Sequence, residues 1–249
     1  MTHDYKKFKF LRKVVGLFGF KLVEKNFIKN MIEAESIAVS VDTFVDKIII
    51  KNSFTKIIQI GSNDGITDDY VKKIIEKHNL KGILVEPSLE PFKKLKKNYE
   101  KINNLEFVNK ALDKDLEVKK FYQVGIKYQS FYHANISVLS SFDKNHLVKW
   151  GIKSQHIEEI NVECINWTNL FKDYNFQDVS IICIDAEGHD HVLIENLIMD
   201  TKVRPVIVFE WVNIPNDKFK EILNILKKQN YNFLKFQKDI ICCTQDIKY

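Results

Sequence analysis

The chain has 249 residues, of which 45% are hydrophobic and 29% are charged, a balance typical of one globular domain with its own core. Its net charge of +5 comes from 38 basic and 33 acidic side chains, yet only Arg12 and Arg204 are arginines. Because arginine is the usual reader of guanine edges and the usual bidentate phosphate ligand, this composition argues against nucleic acid as a partner.

The cysteines and the hydropathy of the chain bear on its location. The cysteines form neither a CxxC pair nor a metal-ligand spacing, and they lie in apolar runs, so they indicate reduced core thiols. No apolar run approaches the length of a transmembrane helix, and the N-terminus lacks the apolar core and cleavage site of a signal peptide. We therefore expect a cytoplasmic protein without a transmembrane segment. The cysteines are Cys164, Cys183, Cys242 and Cys243.

Residues 1–52 are predicted to form a basic helical arm ahead of a main domain over residues 53–249. Residues 1–30 contain eight basic and two acidic side chains, so this stretch carries +6 and the rest of the chain −1. Its apolar residues recur at spacings of three and four, which is the pattern of an amphipathic helix. Three uses of the arm stay open: a cap over the active site, a subunit contact in a homodimer, and weak association with an anionic membrane or glycan-phosphate surface. The apolar residues are Phe8, Leu11, Val15, Phe18 and Leu22.

From residue 56 onward, short apolar runs alternate with stretches of helical periodicity. Predicted strands cover residues 56–61, 82–87, 105–109, 117–124, 157–166, 179–185 and 204–211. Predicted helices start near Thr67 and Ser88 and cover residues 141–150, 191–198 and 217–229. The last two apolar runs predict a closing hairpin over residues 231–236 and 240–244. Alternation of this kind is typical of an α/β fold with a doubly wound, mostly parallel sheet.

The turn after the first predicted strand is the strongest sign of a ligand site. It reads Gln59-Ile-Gly-Ser-Asn-Asp-Gly65, and Glu86 ends the second predicted strand. Glycine lets the backbone approach a ligand closely, and an acidic residue at the second position can accept both hydroxyls of a ribose. Because the turn lacks the full GxGxxG pattern, nicotinamide and flavin dinucleotides are disfavoured. S-adenosylmethionine fits this turn better, because it has a ribose and no phosphate. In the alternative interpretation, the segment is a plain strand–turn–helix without a ligand, and Glu86 is incidental.

Five sequence segments occur in an order that resembles a known family. They are residues 58–65, 82–87, 139–142, 184–190 and 208–210. Together they resemble the FkbM family of S-adenosylmethionine-dependent methyltransferases, over about residues 56–211. The resemblance implies a Rossmann-like class I fold, with a seven-stranded sheet closed by an antiparallel hairpin. It also implies methyl transfer, usually to a hydroxyl of a sugar or natural-product scaffold.

The resemblance further implies which residues bind the cofactor. They are Gly61, Ser62 and Asn63 around the methionine moiety, Glu86 at the ribose, Pro87 near the adenine, Asn109 and Ala111 in the adenine pocket, and Asp185 at the end of a later strand. Gln59 stands where the family usually has an acidic residue. It would bind the amino-acid end of the cofactor without supplying a charge.

Asp185, Glu187 and His189 are the candidate catalytic residues, because they follow the apolar run over residues 179–185. In an extended chain, positions 185 and 187 share one side, and two neighbouring carboxylates raise each other's pKa toward that of a general base. His189 is the other natural base. In the alternative interpretation, Asp185 caps the next helix and Glu187 forms a structural ion pair.

The same segment also raises the question of a metal ion. Asp185, Glu187, His189, Asp190, His191 and Glu210 offer oxygen and imidazole ligands. Carboxylates would favour Mg²⁺, but neighbouring residues at a helix start diverge and cannot all face one ion. We therefore predict no metal ligand, with Mg²⁺ kept as the alternative.

The favoured hypothesis is an O-methyltransferase (EC 2.1.1.-) that acts on a sugar, a nucleotide sugar or a surface glycan, as in capsule or polysaccharide biosynthesis. Its partner would then be a small-molecule or glycan acceptor. Two alternatives stay open: N-methylation of an amino group on a sugar or small molecule, and a non-catalytic nucleoside-binding module.

Overall fold

The computed structural model describes residues 40–67 and 69–248, and residues 41–249 form one compact unit. The amphipathic stretch predicted over residues 1–30 lies outside the described residues. No helix within residues 40–67 and 69–248 is long and apolar enough to cross a membrane.

The central element is a seven-stranded sheet in the order β11-β12-β10-β9-β1-β2-β3. Its strands are β1 (Lys56–Ile60), β2 (Lys81–Val85), β3 (Leu105–Val108), β9 (Ile181–Ile184), β10 (Val206–Glu210), β11 (Tyr231–Lys235) and β12 (Asp239–Thr244). Strand β12 is antiparallel to both of its neighbours, and β1, β2, β3, β9 and β10 are parallel. This confirms the predicted doubly wound sheet and its closing hairpin.

Helices cover both faces of the sheet, so its central strands are apolar on both sides. Side chains of α1, α2 and α3 share one buried cluster with Ile57 of β1. Side chains of α6, α7 and α8 share a second cluster with Ile58, the next residue along the strand. The helices are α1 (Val41–Asn52), α2 (Val71–His78), α3 (Leu89–Asn98), α4 (Ala134–Ser137), α5 (Lys144–Lys149), α6 (Trp167–Tyr174), α7 (Asp190–Asp200) and α8 (Asn216–Lys228).

Helix α1 packs against the sheet. Val45, Ile48 and Ile49 are buried in the same cluster as Ile57. The compact unit therefore begins at Val41, ahead of the boundary at residue 52 that the sequence suggested, because the apolar face of α1 has sheet side chains to pack against.

The segment between β3 and β9 forms two small sheets. In one, β4 (Ala111–Leu112) pairs in parallel with β8 (Cys164–Ile165), and in the other β5 (Lys119–Val124) lies between β6 (Ser140–Ser141) and β7 (Ile157–Val162). Helix α5 is shorter than the predicted helix over residues 141–150. Strand β6 ends at Ser141, and Asp143 caps α5, since its carboxylate accepts a hydrogen bond from the backbone N–H of Asn145 at 2.9 Å.

The carboxyl ends of β1 and β9 meet with almost no space between them. Gly61 follows β1 with a φ of +77°, and a β-carbon at this position would lie 1.8 Å from the carbonyl oxygen of Asp185. Glycine is therefore required here, both for its backbone conformation and for this contact. The contact positions the residues that follow β1 directly beside those that follow β9.

We predict that Ile48→Ala lowers the free energy of unfolding by about 2–5 kcal/mol, because it leaves a cavity in the core. Ile48 is 0% exposed, whereas Ile50 on the same helix is 61% exposed. The matched control Ile50→Ala should change stability by about 0.5 kcal/mol or less. Urea denaturation measures both; equal, small effects would contradict the packing of α1 against the sheet.

We also predict that Gly61→Ala destabilises the protein more than Gly151→Ala. Both glycines have positive φ, +77° and +86°, but a β-carbon at Gly151 meets nothing within 4 Å. Both variants lose about 1–2 kcal/mol through the left-handed backbone, and only Gly61→Ala adds about 1–3 kcal/mol of overpacking. Chemical denaturation of the pair tests this, and an equal loss would mean that the β1–β9 contact relaxes freely.

Candidate functional site

A cavity of about 450 Å³ lies at the carboxyl ends of the central strands, a volume in the range of small-ligand sites. Most of the predicted site residues line it. They are Gln59, Gly61, Ser62, Asn63, Glu86, Pro87, Ala111, Asp185, Glu187 and His189. The register explains this, because Ile60 pairs with Val85 on one side and with Ile184 on the other, so the residues after three strands are neighbours.

Glu86 is a buried carboxylate in the cavity wall. Its Oε2 accepts a hydrogen bond from the backbone N–H of Asn63 at 2.9 Å, and its Oε1 accepts one from the backbone N–H of Ser88 at 2.8 Å. Burial raises the pKa of Glu86 to about 7, against the lowering effect of these hydrogen bonds. Each oxygen has a further lone pair, so the carboxylate can accept hydrogen bonds from a ligand as well.

Asn109 supports this wall from the next strand. Its Nδ2 donates to the carbonyl oxygens of Glu86 at 2.8 Å and Pro87 at 3.1 Å. The predicted role of Asn109 was to line an adenine pocket; in the structure its side-chain amide binds the main chain that follows β2.

Two buried amide oxygens near the β1 loop have no hydrogen-bond partner within the described part of the chain: Oε1 of Gln59 and Oδ1 of Asn63. Both residues line the cavity. Because buried polar atoms are nearly always hydrogen-bonded, these two acceptors fit a ligand that carries N–H or O–H donors.

The turn after β9 differs from the extended geometry that we predicted. Glu187 has a φ of +50°, so positions 185 and 187 do not lie on one side of an extended strand; that premise was wrong. The turn is held by Asp190, whose carboxylate accepts from the backbone N–H groups of Gly188 at 3.1 Å and Ala186 at 3.4 Å. Helix α7 has His189 at its N-cap position and no side-chain cap, so the alternative in which Asp185 caps this helix is wrong.

Asp185, Glu187 and Glu210 nevertheless come together at the cavity, with one carboxylate oxygen of each within 4.8 Å of the others. Asp185 is open to the solvent of the cavity, while protein surrounds it on its other sides. This desolvation and the charges of Glu187 and Glu210 raise the pKa of Asp185 well above its usual range. Burial and Glu187 also raise the pKa of Glu210.

The other two carboxylates of this group have partners. Oε2 of Glu187 lies 3.0 Å from Nε2 of His146 and accepts from Nδ2 of Asn213 at 3.2 Å. The same Asn213 nitrogen donates to Glu210 at 2.7 Å. Asp185, by contrast, has no hydrogen-bonded side-chain partner among residues 40–67 and 69–248, so its carboxylate is available to a ligand.

His189 lies beside the carboxylate of Asp113. Its Nε2 is 3.0 Å from Oδ2 of Asp113, but it has no partner with hydrogen-bond geometry in the described part of the chain. Lys119 lies 2.6 Å from the other oxygen of Asp113. Although burial acts to raise it, the neighbouring His189 and Lys119 hold the pKa of Asp113 well below its usual range. Of the three candidate bases, Asp185 is the one with neither a hydrogen-bonded nor a charged side-chain partner of opposite sign beside it among residues 40–67 and 69–248.

Asp185, Glu187 and Glu210 could together offer ligands to a metal ion. Carboxylate oxygens suit Mg²⁺. However, His146 and Asn213 bind Glu187 and Glu210, and the side chains of Asp190 and His191 bind the main chain of the turn. The described residues therefore provide their own partners for most of this group, and we derive no step through a metal ion.

Three functional candidates escaped the sequence analysis: Asp69, Asp113 and Asn213. Asp69 was interpreted as part of an acidic first helical turn, and the other two stand in no motif. Asp113 lies beside His189 and Asn213 donates to Glu187, contacts that span long stretches of sequence and that local spacing did not indicate.

Comparison with known proteins gives the family. The sequence model of the methyltransferase FkbM domain matches residues 59–233. Matching solved structures include the methyltransferase FkbM from Methylobacillus flagellatus KT, with 10% identity and a TM-score of 0.47, where 76% of this chain and 44% of that chain are covered. This chain thus spans less than half the length of that protein.

Another match is the O-methyltransferase from Bacillus cereus in complex with SAH, with 11% identity, a TM-score of 0.40, and 96% of this chain and 99% of that chain covered. No curated protein matches the chain. The domain match covers more than half of the 249 residues. It includes the carboxyl ends of β1, β2, β9 and β10, which border the cavity. The chain therefore belongs to the methyltransferase FkbM family.

Proposed function

We propose that the cavity binds S-adenosylmethionine and that the protein methylates a hydroxyl of a sugar, a nucleotide sugar or a surface glycan. One observation carries the proposal. The buried carboxylate of Glu86 and the unpartnered carboxylate of Asp185 face the same cavity, on either side of the Gly61 turn.

The residues around Glu86 suit the nucleoside part of the cofactor. Ribose hydroxyls would donate to the free lone pairs of the Glu86 carboxylate, and Pro87 and Ala111 offer apolar wall beside it. The buried oxygens of Gln59 and Asn63 would accept from the methionine part. When bound, the cofactor supplies an electrophilic methyl group.

Asp185 is the proposed general base. A hydroxyl needs to lose its proton as the methyl group is transferred, and a carboxylate with a raised pKa is a stronger base than an ordinary one. His146 and Asn213 hold Glu187 in place, so its charge stays beside Asp185 and maintains that raised pKa. The remaining requirement is alignment of acceptor and methyl group, which the shaped cavity would provide.

Part of the cavity wall suits a polyhydroxylated acceptor. Aromatic side chains of Phe121, Phe142 and Trp150 line it together with the polar side chains of Ser140 and Asn213. Sugar rings present both C–H faces and hydroxyls, so they pack on aromatic rings while they hydrogen-bond to polar groups. Trp150 is 48% exposed and thus accessible to such a ring.

N-methylation is the second candidate. Three carboxylates within 4.8 Å would also attract the ammonium group of an amino sugar, and Asp185 could then remove a proton from that nitrogen. The acceptor test below includes both classes.

We predict that the affinity for S-adenosylhomocysteine falls about tenfold between pH 8 and pH 6, because Glu86, with a pKa of about 7, is ionised at pH 8 and mostly protonated at pH 6. Protonation removes the charged acceptor of the ribose hydroxyls. Isothermal titration calorimetry at several pH values measures the slope.

The Glu86→Gln variant should bind about 10- to 100-fold more weakly at pH 8 and lose most of this pH dependence. Glu90→Gln, on α3 with a side chain that is 45% exposed, is the matched control and should behave as the wild type. A wild-type protein that binds neither S-adenosylmethionine nor S-adenosylhomocysteine would refute the proposed function.

We predict that Asp185→Asn lowers kcat about 10²- to 10⁴-fold, because the amide cannot take the acceptor proton, while cofactor affinity changes little. The assay would follow methylated product by mass spectrometry across nucleotide sugars, amino sugars and capsule-type glycans, with and without EDTA. Asp178→Asn, whose side chain is 72% exposed near the opposite end of β9, is the control. Unchanged kcat in Asp185→Asn would exclude it as the base, and loss of activity in EDTA would restore the metal alternative.

A further inference from the structure

Residues 126–153, which lie between β5 and β7, form an insertion that has two surfaces. On the inside, its apolar side chains pack with Val124 of β5 in a small buried cluster. Leu139 and Trp150 of the insertion also line the cavity described above. The outer surface has no role in the proposed methyl transfer.

This outer surface exposes four large apolar side chains. They are Phe131, Ile126, Trp150 and Val148, with exposed fractions of 68%, 58%, 48% and 42%. Among the described residues, eleven large apolar side chains are exposed, so more than a third of them belong to the insertion. Such a concentration is typical of a surface that binds an apolar partner.

The insertion also carries an excess of positive charge. Asp143 is its only acidic residue, so its net charge is +3 with histidine neutral. On the neighbouring strand β5, Lys120 forms an ion pair with Glu159 at 2.9 Å. The lysines of the insertion, by contrast, are exposed and form no ion pair within the described part of the chain; they are Lys127, Lys144, Lys149 and Lys153.

Contacts between the two ends of the insertion join these side chains into one surface. Nζ of Lys127 lies 4.8 Å from the centre of the Tyr128 ring, and that ring lies 6.1 Å, centre to centre, from the ring of Phe131. The hydroxyl of Tyr132 accepts a hydrogen bond from the backbone N–H of Lys153 at 3.1 Å. The aromatic group around Phe131 therefore lies next to the turn that follows α5.

We propose that the outer surface of the insertion docks on an anionic lipid bilayer. The exposed aromatic and aliphatic side chains would enter the boundary between head groups and acyl chains, while the lysines would bind the lipid phosphates. A protein partner fits this surface less well, because lysine is depleted from protein–protein interfaces.

Trp150 connects this surface to the cavity. It lines the cavity and also belongs to the exposed apolar group, so docking would hold the cavity beside the lipid surface. Acceptors held at that surface would then be within reach of the cavity, a consequence that rests on the proposed function.

The fluorescence of Trp150 tests the docking surface. The chain has three tryptophans; Trp167 is 2% exposed and Trp211 is half-buried. Vesicles of phosphatidylglycerol and phosphatidylcholine with brominated acyl chains should quench the fluorescence of the full-length protein and of Trp211→Phe, because bromine quenches a tryptophan at short range. Trp150→Phe should lose most of this quenching and still co-sediment with the vesicles.

Two triple variants with the same change of charge test the role of the lysines. The first replaces three lysines of the insertion, and the second replaces three exposed lysines that precede β10 and β11, away from the cavity. Only the first should weaken co-sedimentation with phosphatidylglycerol vesicles, by about tenfold or more. The variants are Lys127→Gln, Lys149→Gln and Lys153→Gln, and Lys202→Gln, Lys227→Gln and Lys228→Gln.

Three results would overturn the proposal: a wild-type protein that does not bind the vesicles, binding without quenching of Trp150, and equal binding of the two triple variants. In the last two cases the basic residues 1–30 or another surface would account for the binding. These measurements need neither cofactor nor turnover, so a failure of docking leaves the proposed methyl transfer standing. A protein that docks as expected but binds neither S-adenosylmethionine nor S-adenosylhomocysteine would keep the docking surface and lose the proposed function.

Discussion

The contact between Gly61 and the backbone of Asp185 is the constraint on which the site depends. It joins the loop after β1 to the turn after β9 at a separation that no side chain could tolerate. The parallel register pairs Ile60 with both Val85 and Ile184. It therefore brings the residues that follow these three strands to one edge of the sheet. The proposed cofactor-binding half at Glu86 and the proposed acceptor half at Asp185 thereby open into a single cavity, which one-step group transfer would require.

Electrostatics separates the carboxylates of this edge into two kinds. Glu187, Glu210, Asp113 and Asp190 have partners within the protein: His146, Asn213, Lys119, or the backbone of the turn. Asp69 and Glu86 accept hydrogen bonds only from neutral groups and Asp185 from no side chain of the described residues, while desolvation raises the pKa of each, as it also raises the pKa of Glu210 and Asp190. Buried charge without a partner destabilises a folded protein, so its presence on a cavity wall is best explained by a ligand that supplies the missing donors.

The sequence predicted the parts of this arrangement that depend on local pattern. Apolar runs and turn residues located β1, β2, β9, β10 and the closing hairpin, and the strand ends placed Gly61, Glu86 and Asp185 at one edge. The geometry of Glu187 was beyond that reasoning, because a left-handed φ at a non-glycine residue follows from the contacts of the turn and not from its composition. Asp113 and Asn213 were missed for a related reason: their contacts with His189 and Glu187 span long stretches of sequence, and only the folded chain brings these residues together.

The charge of the cavity wall is opposite in sign to the net charge of the chain. The chain carries a net charge of +5, yet the described cavity wall includes six carboxylates, those of Asp69, Glu86, Asp185, Glu187, Glu210 and Asp239, beside Lys238 and His189. A cavity with this potential favours cationic ligands over phosphates, in agreement with the absence of a pyrophosphate-binding glycine motif after β1. The proposed cofactor has two positive centres, an ammonium group and a sulfonium group. In the proposed orientation, the sulfonium group would lie toward Asp185, a carboxylate without a hydrogen-bonded side-chain partner among the described residues. Loss of the sulfonium charge on methyl transfer would weaken this attraction in the demethylated product and so would favour its release.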